Sequence, residues 1–212
     1  MYAVNENGKS GFGGEVTAFS FDKKNGQLSF INRQFSGGYH PCYIDTDKTG
    51  RWVFAGNYSS GNLAIFPVKK DGGLNIADTL IQHTGNGKNQ ERQKGPHVHC
   101  TVVSPNNEWL LVPDLGIDKT MLYRFDEQTG KLSVGKQKYI ESVPGAGPRH
   151  FVFHPNNKRG YLIEELSGTV VAYKYKNGIF KTIQRVSTMV GGDSSFAGSA
   201  DIHISPDGKF LY

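Results

Sequence analysis

Cysteine is scarce in this chain: Cys42 and Cys100 are its two thiols in 212 residues. Two thiols cannot build the disulfide framework that staples small secreted domains. Residues Met1 to Gly14 also lack the basic-then-apolar segment of a signal peptide, so a cytoplasmic setting is expected. No run of eighteen apolar residues occurs, and no membrane span or membrane partner is expected. Basic clusters are missing too. Lys+Arg (24) exceed Asp+Glu (19), yet the longest basic groups are the pairs Lys23 and Lys24, and Lys69 and Lys70. Without a cationic stripe, no nucleic-acid partner is expected. The net charge of +5 supports only a general attraction for anionic small molecules.

What the chain does have is glycine (27 residues) and Tyr plus Phe (10 and 13), set in short apolar runs broken by turn residues. That pattern predicts many short strands joined by tight turns. One phrase recurs: a short strand, a polar turn, then a second aromatic-rich strand. It runs from Pro41 to Asn57, from His99 to Asp114, from Arg149 to Glu165, and begins again at Ser199. Its turn anchors are Asp47, Ser104, His154 and Ser205, at spacings of 57, 50 and 51 residues. Third strands follow at Leu63–Val68, Met121–Phe125 and Val170–Tyr175, and turns such as Lys176-Asn-Gly lead to a fourth. Four antiparallel strands repeated at this period predict an all-β fold, a β-propeller with four-stranded blades. Both ends fall within a phrase. Residues 1–212 therefore read as one partial propeller domain, truncated at both ends, with about four blades present.

The first strand of each blade lines a propeller's channel, so equivalent positions gather around one axis. Five residues before the anchors stand Cys42, His99, Arg149 and Ala200, beside His97, His150, Asp201 and His203. The second strands end at Asn57-Tyr58, Asp114-Leu115 and Glu164-Glu165. Histidines, an arginine and carboxylates are thereby expected at one mouth. Strand alternation sends Glu164 and Glu165 to opposite faces, so one of them should point inward. The longer spacing comes from a polar insertion, residues 83 to 99, which carries Arg92 and runs straight into His97 and His99; it is expected to belong to the site. His97 and His99 form a His-x-His pair, but the carboxylate set around them is thin and no metal is expected. Asp114 suits either the site or a backbone contact. His154 is expected to cap its turn, Trp52 and Trp109 to lie in the core, and both cysteines to be buried hydrophobes.

These residues resemble a known family. Arg92-Gln-Lys-Gly-Pro-His-Val-His99, Val112-Pro-Asp-Leu-Gly-Ile-Asp118, Gly145-Ala-Gly-Pro-Arg-His150 and Ser199-Ala-Asp-Ile-His203 are similar to the seven-bladed lactonases of the 6-phosphogluconolactonase type. The resemblance covers the whole chain and implies a seven-bladed ring needing no metal or other cofactor. A relative of that family, the carboxy-cis,cis-muconate cyclase, uses a histidine, an arginine and a glutamate that fall on His99, Arg149 and Glu165. A further arginine of the cyclase would lie beyond Tyr212. The expected activity is hydrolysis of an anionic sugar-acid lactone, 6-phosphogluconolactone in the pentose phosphate pathway. His99 or Glu165 would act as base, with Arg149 on the oxyanion. His97, His150, His203 and Asp114 would line the substrate, and Arg92 would meet its phosphate. The rivals are a cycloisomerase acting on a muconolactone-type substrate and a non-catalytic interaction platform. Nothing in the residues speaks to oligomeric state.

Overall fold

The computed structural model describes residues 1–8, 13–189, 191 and 198–212. The short apolar runs fold as antiparallel strands. Strands β1 (Tyr2–Asn5), β2 (Glu15–Phe21) and β3 (Leu28–Phe35) form a three-stranded sheet. Three four-stranded sheets follow. The first holds β4 (Pro41–Thr46), β5 (Trp52–Asn57), β6 (Asn62–Pro67) and β7 (Thr79–Gln82). The second holds β8 (Val102–Val103), β9 (Trp109–Asp114), β10 (Lys119–Phe125) and β11 (Leu132–Glu141). The third holds β12 (Pro148–Phe153), β13 (Arg159–Glu164), β14 (Thr169–Lys176) and β15 (Ile179–Ser187). A further hairpin begins where Ile204 pairs with Leu211. These are propeller blades, each a meander whose neighbours in sequence are neighbours in space. Among the described residues no helix is long and apolar enough to cross a membrane.

The repeated anchors have one job. The backbone N–H of Asp47, Ser104, His154 and Ser205 donates to the carbonyl of Trp52, Trp109, Arg159 and Phe210 respectively. Each anchor side chain then accepts a backbone N–H inside its own turn. Asp47 Oδ1 takes Trp52 N at 2.9 Å, Ser104 Oγ takes Trp109 N at 3.0 Å, and Ser205 Oγ takes Phe210 N at 3.0 Å. His154 Nδ1 takes Asn156 N at 3.0 Å, so a histidine does the work of the serines. Asn177 and Gly178, at φ 48° and 75°, supply the two positive-φ residues of the tight hairpin joining β14 to β15.

The core lies between blades. Phe54, Leu63 and Ile65 of one blade meet Leu110, Val112, Tyr123 and Phe125 of the next. Trp109, Leu111 and Leu122 in turn meet Phe151, Leu162, Tyr173 and Phe180. Trp52 is half-buried rather than sealed in the core, because its indole N–H reaches the Glu127 carbonyl of the following blade at 2.9 Å. Two positive-φ glycines receive the tryptophans. A Cβ on Gly130 would lie 2.4 Å from the Trp52 ring, and one on Gly178 would lie 2.2 Å from Trp109.

The innermost strands of the three four-stranded blades each carry one extra residue against their partner. Pro41 faces Asn57 while Tyr43 faces Gly56, so Cys42 is the bulged residue. Pro148 faces Glu164 while His150 faces Ile163, so Arg149 is. Between the pairs Val98 with Asp114 and Val102 with Leu111, the extra residue lies within 99–101. Bulges re-aim side chains and sharpen local twist. The inner strand that ends in β8 is also the most broken. Pro113 accepts the His99 N–H at 3.0 Å but has no N–H to return, so the ladder resumes only at Val102.

Candidate functional site

Glu165, just beyond β13, is the centre of the cluster. Its Oε1 accepts from Arg92 Nη2 at 2.7 Å and its Oε2 accepts from Arg149 Nε at 3.0 Å. His99 Nε2 stands 3.8 Å from the same Oε2. Arg149 from a bulge, His99 from the segment before β8 and Arg92 from the inserted loop thus converge on one carboxylate. Arg92 also donates to the Tyr58 hydroxyl at 3.3 Å, and this contact together with Glu165 holds its guanidinium more firmly protonated than usual. Glu164 parts from its neighbour as strand alternation requires. It is fully buried, paired with Arg185, and accepts from Thr169 Oγ1 at 2.5 Å.

The histidines have distinct surroundings. His99 is 8% exposed. Its Nδ1 lies 3.6 Å from the Cys42 thiol, and its ring meets Tyr58 and His150 edge-on, each at 5.3 Å. Burial, then the nearby Arg149 charge, pushes its pKa down to about 4, so the imidazole is neutral at neutral pH. Burial and then Glu6 push the Cys42 thiol up to about 12, which leaves it an S–H group. His150 bonds Asp201 Oδ1 through Nδ1 at 2.7 Å. Its pKa is lowered chiefly by burial, with Asp201 pulling the other way. Asp201 is itself held at about 2: burial raises it, but hydrogen bonds from His150, Ile202 and His203 prevail. His203 Nε2 completes the chain at 2.9 Å from Asp201 Oδ2, on an exposed ring.

His97 turns away from His99. Its Nδ1 donates to the Tyr58 carbonyl at 3.0 Å and its ring stacks on Tyr58 at 4.4 Å with 14° between planes. The two rings therefore do not form a chelating pair.

Asp114 departs from the expectation that it lines the substrate. It is fully buried, and its Oδ1 accepts from the backbone N–H of His97 at 2.7 Å and of Gly116 at 3.0 Å. Its Oδ2 binds His83 Nδ1 at 2.7 Å, and His83 Nε2 reaches the Tyr123 hydroxyl at 3.0 Å. With both oxygens committed beneath the mouth, Asp114 sets the path of the chain entering His97 and His99. Asp114→Ala strands two buried donors, the Gly116 N–H and His83 Nδ1, at about 1–3 kcal/mol each, together with the part-buried His97 N–H. Urea denaturation should therefore show a loss of at least about 2 kcal/mol. A midpoint unchanged from wild type would refute this placement.

The inserted loop is ordered around Gln93, which the sequence did not single out. Buried Gln93 donates through Nε2 to the Leu115 carbonyl and to Asp118 Oδ1, both at 2.7 Å, while its Oε1 accepts Asn89 N at 2.8 Å. Asp118 also accepts from Gly147 N at 2.9 Å and Gly145 N at 2.7 Å, so one carboxylate ties the Arg92 loop to the approach into Arg149. Asp118 sits at φ 54°, a left-handed position that Asp tolerates. Its place in Leu115-Gly-Ile-Asp118, directly after the buried Asp114, was the available signal. Tyr43 was also missed; its ring meets His150 edge-on at 4.9 Å.

Residues 1–212 match the family described as "Lactonase, 7-bladed beta-propeller". A 6-phosphogluconolactonase of Formosa agariphila is 40% identical over 200 residues, which cover 94% of this chain and 56% of that protein. A 6-phosphogluconolactonase of Bacillus subtilis is 38% identical over 201 residues, with the same coverage of 94% and 56%. The solved periplasmic gluconolactonase of Pseudomonas aeruginosa superposes with a TM-score of 0.91 at 34% identity, over 99% of this chain and 60% of that one. The chain spans about half the length of the curated relatives it matches: 56% for the two above.

Proposed function

The chain belongs to the seven-bladed β-propeller lactonase family, and on that footing we propose that the full-length protein hydrolyses a sugar-acid lactone, 6-phosphogluconolactone, to the open acid. The observation that carries this reading is the Glu165 carboxylate joined to Arg92 and Arg149 with neutral His99 beside it. Opening a lactone needs a base for water, a charge sink for the oxyanion and a proton for the leaving alkoxide. Of the two candidate bases, Glu165 spends an oxygen on each guanidinium, while His99 is neutral and able to accept. His99 therefore takes the proton as water attacks the carbonyl carbon, and returns it to the ring oxygen when the C–O bond breaks. Arg149 receives the oxyanion. Glu165 orients both arginines and offsets the charge that forms on His99 3.8 Å away. His97, stacked on Tyr58, and His203 would flank the substrate. Two free cysteines support a cytoplasmic location, although the Pseudomonas relative is periplasmic by name.

The test is a lactone-opening assay on the full-length protein with 6-phosphogluconolactone and with unphosphorylated gluconolactone. Arg92→Ala should raise KM for the phosphorylated substrate by about tenfold or more, the worth of a charge-assisted hydrogen bond, and raise it distinctly less for the unphosphorylated one. Turnover of neither lactone would overturn the reading. Turnover of muconolactone-type substrates instead would move the protein to the cycloisomerases.

A further inference from the structure

Arg149 is held by three acceptors. Its Nε donates to Glu165 Oε2 at 3.0 Å, and its Nη1 donates to the Ala200 carbonyl and, at 3.4 Å, to Nε2 of His150. The last contact requires a lone pair on that nitrogen, and Asp201 supplies the reason it is there. An ionised carboxylate can only accept, and Asp201 Oδ1 lies 2.7 Å from His150 Nδ1, so the single proton of the neutral ring sits on Nδ1. Nε2 is then left bare towards the guanidinium. Asp201 is fixed in turn by Ile202 N at 2.8 Å and His203 Nε2 at 2.9 Å.

We propose that Asp201 and His150 are positioning residues for Arg149: Asp201 selects the tautomer in which His150 Nε2 accepts from the guanidinium, and protonation of His150 releases it. The consequence for turnover rests on the lactone reading above, whereas the tautomer does not. The groups facing His150 are Arg149 from its own strand, His99 from the segment before β8, Tyr43 from β4, and Asp201 with His203 from the segment after β15. Arg149 and His203 oppose a charge on the ring, as burial does, and Asp201 favours it. The ring is thus neutral at neutral pH and gains a proton below the ordinary imidazole range. Nε2–H would then face the guanidinium N–H, donor against donor and cation against cation. Activity should fall on the acid side for this reason.

The experiment uses the full-length protein and three variants. His150→Gln keeps an acceptor oxygen that does not titrate. It should recover most of the kcat that the acceptor-free variant loses at neutral pH and shift the acid limb to lower pH. His150→Phe keeps bulk without an acceptor and should lose about ten- to a hundredfold in kcat with KM nearly unchanged, the worth of one hydrogen bond to a charged group. Wild-type kcat in the Phe variant, or an unmoved acid limb in the Gln variant, overturns the proposal. Nitrogen-15 NMR of His150 supplies a reading without turnover. The neutral ring should be the Nδ1–H tautomer in wild type and revert to Nε2–H in Asp201→Ala; an Nε2–H ring in wild type overturns the proposal outright. A wild type with the Nδ1–H ring but no lactone opening refutes the functional reading alone and leaves the orientation of Arg149 standing.

Discussion

Replacing Arg149 with alanine in the full-length protein should lower kcat/KM for lactone opening by about 10² to 10³, the usual loss when one oxyanion donor is removed. The size follows from where the guanidinium stands. Glu165, the Ala200 carbonyl and His150 fix it in advance, so little reorganisation is needed when charge develops on the lactone carbonyl oxygen. Arg149→Lys should recover only part of the loss, because an ammonium cannot hold the three fixed contacts and still point a donor at the substrate. A second signature separates this role from simple structural damage. Arg149 is one of the charges that hold His99 low. Without it His99 takes up a proton more readily, so the His99 titration followed by NMR should lie at a higher pH in Arg149→Ala than in wild type. A His99 titration superimposable on wild type, or a loss below about threefold, would contradict the assignment.

His99→Ala should cost about 10² to 10⁴ in kcat, the range for a positioned general base. On the proposed mechanism the base is ready across the neutral range, because burial and Arg149 push the His99 pKa down to about 4. The sign is plain: the neutral form does the work, so the His99 contribution is present above that value and lost as pH falls through it. A low pKa also limits how strongly the ring pulls a proton from water, and Glu165 at 3.8 Å answers this by favouring the imidazolium as it forms. Glu165→Gln should therefore slow turnover even though its own oxygens are bonded to arginines. The check is kcat for His99→Ala and His99→Gln across pH, with circular dichroism confirming the fold. Near-wild-type turnover in both would remove His99 from the mechanism.

Much of this was legible in the sequence because a propeller repeats. The anchors Asp47, Ser104, His154 and Ser205 mark one place in each blade, and counting back from them finds Cys42, His99 and Arg149. Blade offsets bring His99, Arg149 and the Glu164-Glu165 pair to one mouth, while the choice of Glu165 rested on the family resemblance. The bulges were invisible for a simple reason. The inner strands β4 and β12 and the segment entering β8 each carry one, so the spacing between these blades hides it. Asp114 was ambiguous because a polar residue at a strand end reads alike whether it faces a channel or supports one. Its complete burial decides for support. Gln93 and Asp118 left no period at all: one sits in an insertion and the other in a turn belonging to a single blade.

The bulge separates two kinds of information that a strand normally carries together. A residue within the ladder helps set register, so changing it puts the sheet at risk. The residue at the bulge stands outside that pairing while its side chain still points to the mouth, as Cys42 and Arg149 do, whereas His99 keeps its N–H bond to Pro113. Chemistry can therefore be rewritten blade by blade without rewriting the scaffold. A thiol, an imidazole and a guanidinium already occupy equivalent seats in three neighbouring blades, which makes the mouth a small combinatorial set and Cys42 its uncharged member.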